Sequence, residues 1–318
     1  MTRLSFTTRT LGVALVAFTM LVTPSADAKS KPAQMVPGSP AQVAALVAQS
    51  GRIAKLPPAA VPQLTAGGAD TAFRLYPTAR ACSGSLKGCE YGDLSSSKIV
   101  VLFGDSHILM WLPAIIPAAI RAHVKIDLMY ADDCPVALIG NFSIVPGSYG
   151  TLVGCETWRN AATKVIHDLN PSAVIIGERT TLVFSQPQDI PYTPLQWQLA
   201  LETTIVRLRT PTMKIAVMQD TNWFEVNPMQ CLAANPNHVQ ACDEPFPNMK
   251  DPNHDRAEWH AAIATGTTYV FTRRWLCTAV CSPVIGSYIT NYDNGHLSGT
   301  YASYLSIVVG NALRYFFS

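Results

Sequence analysis

From residue 98 onward, short apolar runs alternate with longer amphipathic segments. The runs at 98–103, 124–130, 173–177, 213–219 and 267–272 lack the strict polar alternation of a half-exposed strand and predict strands buried on both faces. Between them, 108–121, 156–169, 194–208, 255–265 and 298–315 carry apolar positions at helical spacing. Strands that alternate with helices imply a parallel sheet covered on both faces, an α/β fold. Such a sheet places its ligand beyond the carboxyl ends of its strands, so the residues after each strand are the first candidates for chemistry.

The N-terminal part has a different texture. Arg3 and Arg9 precede an apolar run from Leu11 to Val22, and Ala26-Asp27-Ala28 offers a small-x-small cleavage site, so residues 1–28 are expected to be an export signal cleaved near Ala28. That run is too short for a permanent span. Residues 29–75, interrupted by Pro37, Pro40, Pro57, Pro58 and Pro62, read as a Pro/Ala-rich linker or extended arm with one short helix over 41–49. The remaining 76–318 form the folded domain, expected to work as a secreted, periplasmic or cell-envelope protein.

Eight cysteines, all beyond the signal, fit disulfides in an oxidising compartment. Sequence does not fix their connectivity, but neighbours pair naturally: Cys82 with Cys89, Cys134 with Cys155, Cys231 with Cys242, and Cys277 with Cys281. Cys277, Cys281 and His296 could instead be drawn around zinc, but a second close ligand pair is missing, so neither metal nor cofactor is expected. A net charge of +2 and a charged fraction of 14%, without any cluster of Lys and Arg, argue against a nucleic-acid partner.

Two short blocks carry chemistry. The strand at 98–103 runs into Gly104-Asp105-Ser106-His107 and then a helix. Gly104 permits a sharp turn, and Ser106 opens a helix whose free N–H groups favour a developing oxyanion. Asp105 or Ser106 would equally serve as an ordinary helix cap. Just before the last helix lies Tyr292-Asp293-Asn294-Gly295-His296-Leu297-Ser298. A serine hydroxyl needs a neutral imidazole to take its proton, and a carboxylate orients that imidazole and stabilises its charged form. Asp293 and His296 can leave one loop together for that purpose.

Gly104-Asp105-Ser106 and Asp293-x-x-His296 resemble the first and last blocks of SGNH hydrolases. A closer likeness is to SGNH domains fused behind acyltransferase-three-type membrane O-acyltransferases. It is carried also by the Pro-rich arm leading into Cys82 and Cys89, by Trp111-Leu112-Pro113 after the serine, and by Trp275-Leu276-Cys277 with Cys281 before the Asp-His block. The resemblance implies a flavodoxin-like three-layer α/β/α sandwich, with Ser106 as nucleophile, His296 as base and Asp293 as orienting acid. It also implies action on acyl, chiefly acetyl, esters of extracytoplasmic carbohydrate such as a cell-envelope glycan, with a separate membrane acyltransferase as acyl donor where transfer occurs. The alternative is a non-catalytic scaffold that binds glycan or docks the acyltransferase.

The family completes its oxyanion hole with a Gly and an Asn from middle blocks, and the chain departs from that pattern. Gly177-Glu178-Arg179-Thr180 stands where the Asn is expected, making Arg179 an oxyanion or substrate donor or, alternatively, half of an ion pair with Glu178. Gly140 and Asn141 follow the second strand, where a Gly-Asn pair also makes an ordinary turn. Trp158, Trp197, Trp223, Trp259 and Trp275 could line a sugar face but suit the core. His107 either shapes the pocket or fills the first helical turn, and His123, His167, His238, His254 and His260 show no ligand spacing. The polar stretch 221–253, holding Cys231 and Cys242, is long enough to form a lid or substrate rim.

Overall fold

Val100 and Leu102 face one side of their strand and Val101 and Phe103 the other, and all four are buried. This period-two alternation generates two cores, one on each side of a single sheet. The structure, a computed structural model, describes residues 36–140, 142–143, 154–180, 184–185, 190–245 and 254–318. The expected export signal and Asn141 lie outside the described residues.

In chain order the principal elements are α1 (Pro40–Ser50), β1 (Glu90–Gly92), β2 (Ile99–Gly104), α2 (Ser106–Leu109), α3 (Leu112–Arg121), β3 (Lys125–Tyr130), α4 (Cys155–Leu169) and β4 (Ala173–Gly177). They continue with α5 (Pro194–Leu208), β5 (Lys214–Met218), α6 (His254–Ala264), β6 (Thr268–Val270), α7 (Gly299–Tyr304) and α8 (Ser306–Phe317). The sheet order is β1-β3-β2-β4-β5-β6, parallel from β3 to β6, with β1 antiparallel at its edge. Helices α1, α3, α7 and α8 supply one core, and α4, α5 and α6 the other. The result is the three-layer α/β/α sandwich.

The expected helix over 108–121 starts earlier and breaks in two. Pro113 has no N–H to donate and falls in the first turn of a new helix, α3, where none is needed, while α3 carries Pro117 in its interior. The last helical stretch is likewise divided, at Leu305, whose N–H reaches the carbonyls of both Tyr301 and Ala302 and tightens the turn. Strand β1 escapes the apolar pattern because it is a three-residue edge with little buried surface.

Of the stretch 29–75, α1 and Ala72 join the first core, whereas Ala60 packs in a smaller cluster with Met229, Leu232 and Val239. Helix α1 opens with a capping box, Ser39 with Gln42, and buries Val43 and Val47 in the first core. Further along, Asp70 O accepts from Gly299 N and Asp70 Oδ1 from Thr300 N. A Cβ at Gly299 would come within 2.6 Å of Thr71 O, so the start of α7 admits this contact only because residue 299 has no side chain. The cysteines pair 82–89, 134–155, 231–242 and 277–281.

Candidate active site

The chain passes from β2 to β3 on one side and later to β4 on the other, so the carboxyl end of β2 is where successive connections diverge. There Gly104 pairs in register with Tyr130 and Gly177. A Cβ on Gly104 would lie 1.8 Å from Gly177 O, so the two strand ends meet backbone to backbone. Asp105 is extended and caps α2: its Oδ1 accepts from His107 N at 2.8 Å and its Oδ2 from Arg179 N at 2.9 Å. Capping therefore falls to Asp105, leaving the Ser106 hydroxyl for another partner. Burial pushes the Asp105 carboxyl above its ordinary range, against the attraction of His107.

That other partner is His296, whose Nε2 lies 2.8 Å from Ser106 Oγ. Its Nδ1 lies 2.8 Å from Asp293 Oδ2, while Asp293 Oδ1 accepts from the backbone N–H groups of Gly295 at 2.9 Å and His296 at 2.7 Å. One carboxylate thus shapes its own loop and holds the ring. Burial works to raise the Asp293 carboxyl, but the hydrogen bond and charge of His296 and the two backbone donors leave it below the ordinary value. An ionised Asp293 accepts a hydrogen bond from Nδ1–H, so Nε2 is free to accept from Ser106. Tyr292 stacks on the His296 ring at 5.6 Å between centroids.

The loop that carries His296 is braced from residues 221–224. Thr221 Oγ1 donates to Gly295 O at 2.6 Å, and Phe224 N donates to Asn294 O at 2.7 Å. Trp223 packs so closely that a Cβ on Gly295 would come within 2.8 Å of its ring. The long polar stretch beginning at Thr221 therefore supports the base at its start; its end, 246–253, lies outside the described residues. Trp158, Trp197 and Trp275 are core residues, leaving Trp223 as the tryptophan of this group that reaches the site.

Beside Ser106 opens a cavity of about 240 Å³, bounded by Thr71, Phe73, Met110, Asp133, Tyr292 and His296. Two features here have no counterpart in the sequence reading, and a third gives His107 a partner. The arm supplies Thr71, Ala72 and Phe73 as one wall. Asp133, after β3, adopts φ 56°, a left-handed conformation that usually falls to Gly. His107 is buried and its Nδ1 lies 2.5 Å from Asp220 Oδ1, in the turn after β5. The Asp-Asp pair after β3 and the single Asp after β5 were the available signals.

The other candidates fall into place around these. Arg179 sends its backbone N–H to Asp105 and lays its guanidinium 4.9 Å from the Trp223 ring centre. Glu178 turns inward instead, accepting from Ala137 N at 2.8 Å, and burial drives its carboxyl up to about 8. Gly140 is exposed. Cys277 and Cys281 are joined to each other, so neither thiol is available as a zinc ligand beside His296. Among the described residues no cluster of His, Cys, Asp and Glu suits a metal ion.

Residues 74–309 match the family described as SGNH domain (fused to AT3 domains). Among solved structures, the periplasmic domain of a lipopolysaccharide acetyltransferase from Salmonella ser. Paratyphi A is similar at 15% identity and TM-score 0.55, covering 76% of this chain and 97% of that one. Est24, a carbohydrate acetylesterase from Sinorhizobium meliloti, is similar at 12% identity and TM-score 0.42, covering 69% of this chain and 99% of that one. No curated protein matches the sequence.

Proposed function

Because the chain belongs to the family of SGNH domains fused to AT3 domains, we propose that it is an exported serine esterase or O-acyltransferase that forms an acyl-Ser106 intermediate on acyl esters of extracytoplasmic carbohydrate. The observation that carries this reading is the continuous series Ser106 Oγ, His296, Asp293, with 2.8 Å at each junction. His296 Nε2 takes the Ser106 proton as Oγ bonds to the acyl carbon, and the same proton is delivered to the departing alcohol oxygen as the tetrahedral intermediate collapses. A second acceptor, water or a sugar hydroxyl, then gives its proton to His296 and takes the acyl group, restoring Ser106. Ser106 at the start of α2 offers its backbone N–H toward a developing oxyanion, and the turn at Asp133 borders the same cavity.

Four disulfides fit an oxidising, extracytoplasmic setting. In a transfer reaction the acyl group would come from a separate membrane acyltransferase, as the fusion architecture of the family suggests. The test is labelling by a fluorophosphonate probe, which reacts with activated serines. Labelled wild type with unlabelled Ser106→Ala supports the reading, and unlabelled wild type contradicts it.

A second reading, a glycan-binding or acyltransferase-docking scaffold without turnover, draws on one observation. After β4, where the family places an oxyanion Asn, stand Glu178, turned inward, and Arg179. It predicts that Ser106→Ala binds acetylated glycan as wild type does, with no ester cleaved by either.

A further inference from the structure

A second histidine and carboxylate lie directly behind the first pair. His107, next to Ser106 in sequence, is 3% exposed; its Nδ1–H donates to Asp220 Oδ1, and its ring centre lies 4.6 Å from that of His296. Asp220 is more than an incidental acceptor. Its Oδ2 takes hydrogen bonds from Thr180 N at 3.0 Å and Thr180 Oγ1 at 3.2 Å, and its Oδ1 from Thr221 N at 2.7 Å. Three donors besides His107 hold that carboxylate rigidly and in ionised form. The same Thr221 donates its hydroxyl to Gly295 O, so the turn that grips His107 also grips the loop bearing His296.

We propose that His107, clamped by Asp220, is a positioning residue for the base: its ring backs His296, and its positive charge favours the neutral, proton-accepting form of that neighbour. The proposal rests on the reading of Ser106, His296 and Asp293 given above. The charged groups facing His107 come from every side of the site. Asp220 and Asp105 attract its proton and Arg179 opposes it. Arg273 donates to Asp220 O and Thr221 O on the far side of the carboxylate. Burial works against a charged His107, but Asp220 and Asp105 outweigh it and leave the imidazole above its ordinary value. Its Nε2 has no hydrogen-bond partner among the described residues. The pair itself is buried and its imidazole lies beside His296, so a charge on His107 is screened less than it would be in water.

The test uses the full chain with 15N-labelled histidine. At pH 7, wild-type His107 carries protons on both ring nitrogens, and in Asp220→Asn on one only. The Nδ1–H resonance of His296, bonded to Asp293, moves in Asp220→Asn and again in His107→Gln, which leaves the backbone donors of Asp220 in place should Asp220→Asn not fold. In pH profiles of p-nitrophenyl acetate cleavage, the pH of half-maximal kcat/KM rises by about one unit in either variant, with KM changed less than about two-fold. A neutral wild-type His107, or a folded variant with the His296 resonance and the pH profile both unmoved, overturns the proposal. A wild type that cleaves no ester sinks the esterase reading instead, and the imidazole spectra still decide this one.

Discussion

His296 Nε2 lies 2.8 Å from Ser106 Oγ although 190 positions separate them in the chain. The contact is made at the end of β2, where Ser106 opens α2, and on the loop ahead of α7, where Asp293 fixes His296 from behind. The Ser106 proton can pass to His296 across that contact while Asp293 holds the ring in place.

Removing members of the series has graded effects. Ser106→Ala and His296→Ala each lower kcat for p-nitrophenyl acetate by about a thousand-fold or more, and Asp293→Asn by about a hundred- to ten-thousand-fold. The double variant Ser106→Ala with His296→Ala is scarcely worse than either alone, since the residues act as a unit. Steady-state kinetics on the three single variants and the double variant measure this, with circular dichroism to verify folding.

On the proposed reading, the cavity wall contributed by the arm is expected to limit acyl length. Phe73→Ala enlarges the space beside Ser106, so the ratio of kcat/KM for p-nitrophenyl butyrate over acetate rises by about ten-fold. A ratio unchanged in this variant would place the acyl chain elsewhere.

The two chemistry-bearing blocks were readable because each is local: a strand, a turn and a helix start around Ser106, and an Asp-x-x-His loop ahead of a helix at 293–296. The central strands were readable for the same reason, as continuous apolar runs. What the sequence hid depends on distance. Asp220 meets His107 across 113 positions and is a single residue at a strand end, with no periodicity to mark it. Thr71 to Phe73 reach the cavity only because Asp70 is tied to the start of α7, a contact between remote segments that their proline-rich surroundings do not announce. Arg179 and Glu178 are adjacent in sequence, yet one faces Trp223 and the other Ala137, contacts with remote segments that adjacency does not announce.

Stability against pH carries the mark of Glu178. Its folded value of about 8 stands above the reference value of 4.5, so the folded chain binds its proton more tightly than the unfolded chain does. The linkage therefore costs no stability below about pH 4.5, and an increasing amount as pH rises toward 8. Glu178→Gln keeps an acceptor for Ala137 N and abolishes that dependence. Its Tm exceeds wild type by on the order of 10 °C at pH 8 and equals it near pH 4.5, as read by calorimetry across that range.

Gly104 admits no side chain. Gly104→Ala forces β2 and β4 apart, since the new methyl would lie 1.8 Å from Gly177 O, and lowers stability by about 3 kcal/mol or more. Denaturant titration of the purified variant, or its absence from the soluble fraction, reports the loss.

The covalent step can be observed directly. Intact-protein mass spectrometry of wild type quenched in acid after brief exposure to p-nitrophenyl acetate should show one added acetyl group, which peptide mapping locates on Ser106 and which is missing from Ser106→Ala. Wild type that releases p-nitrophenol while its acetyl group maps to another residue, or equal acetylation of Ser106→Ala, would contradict the account.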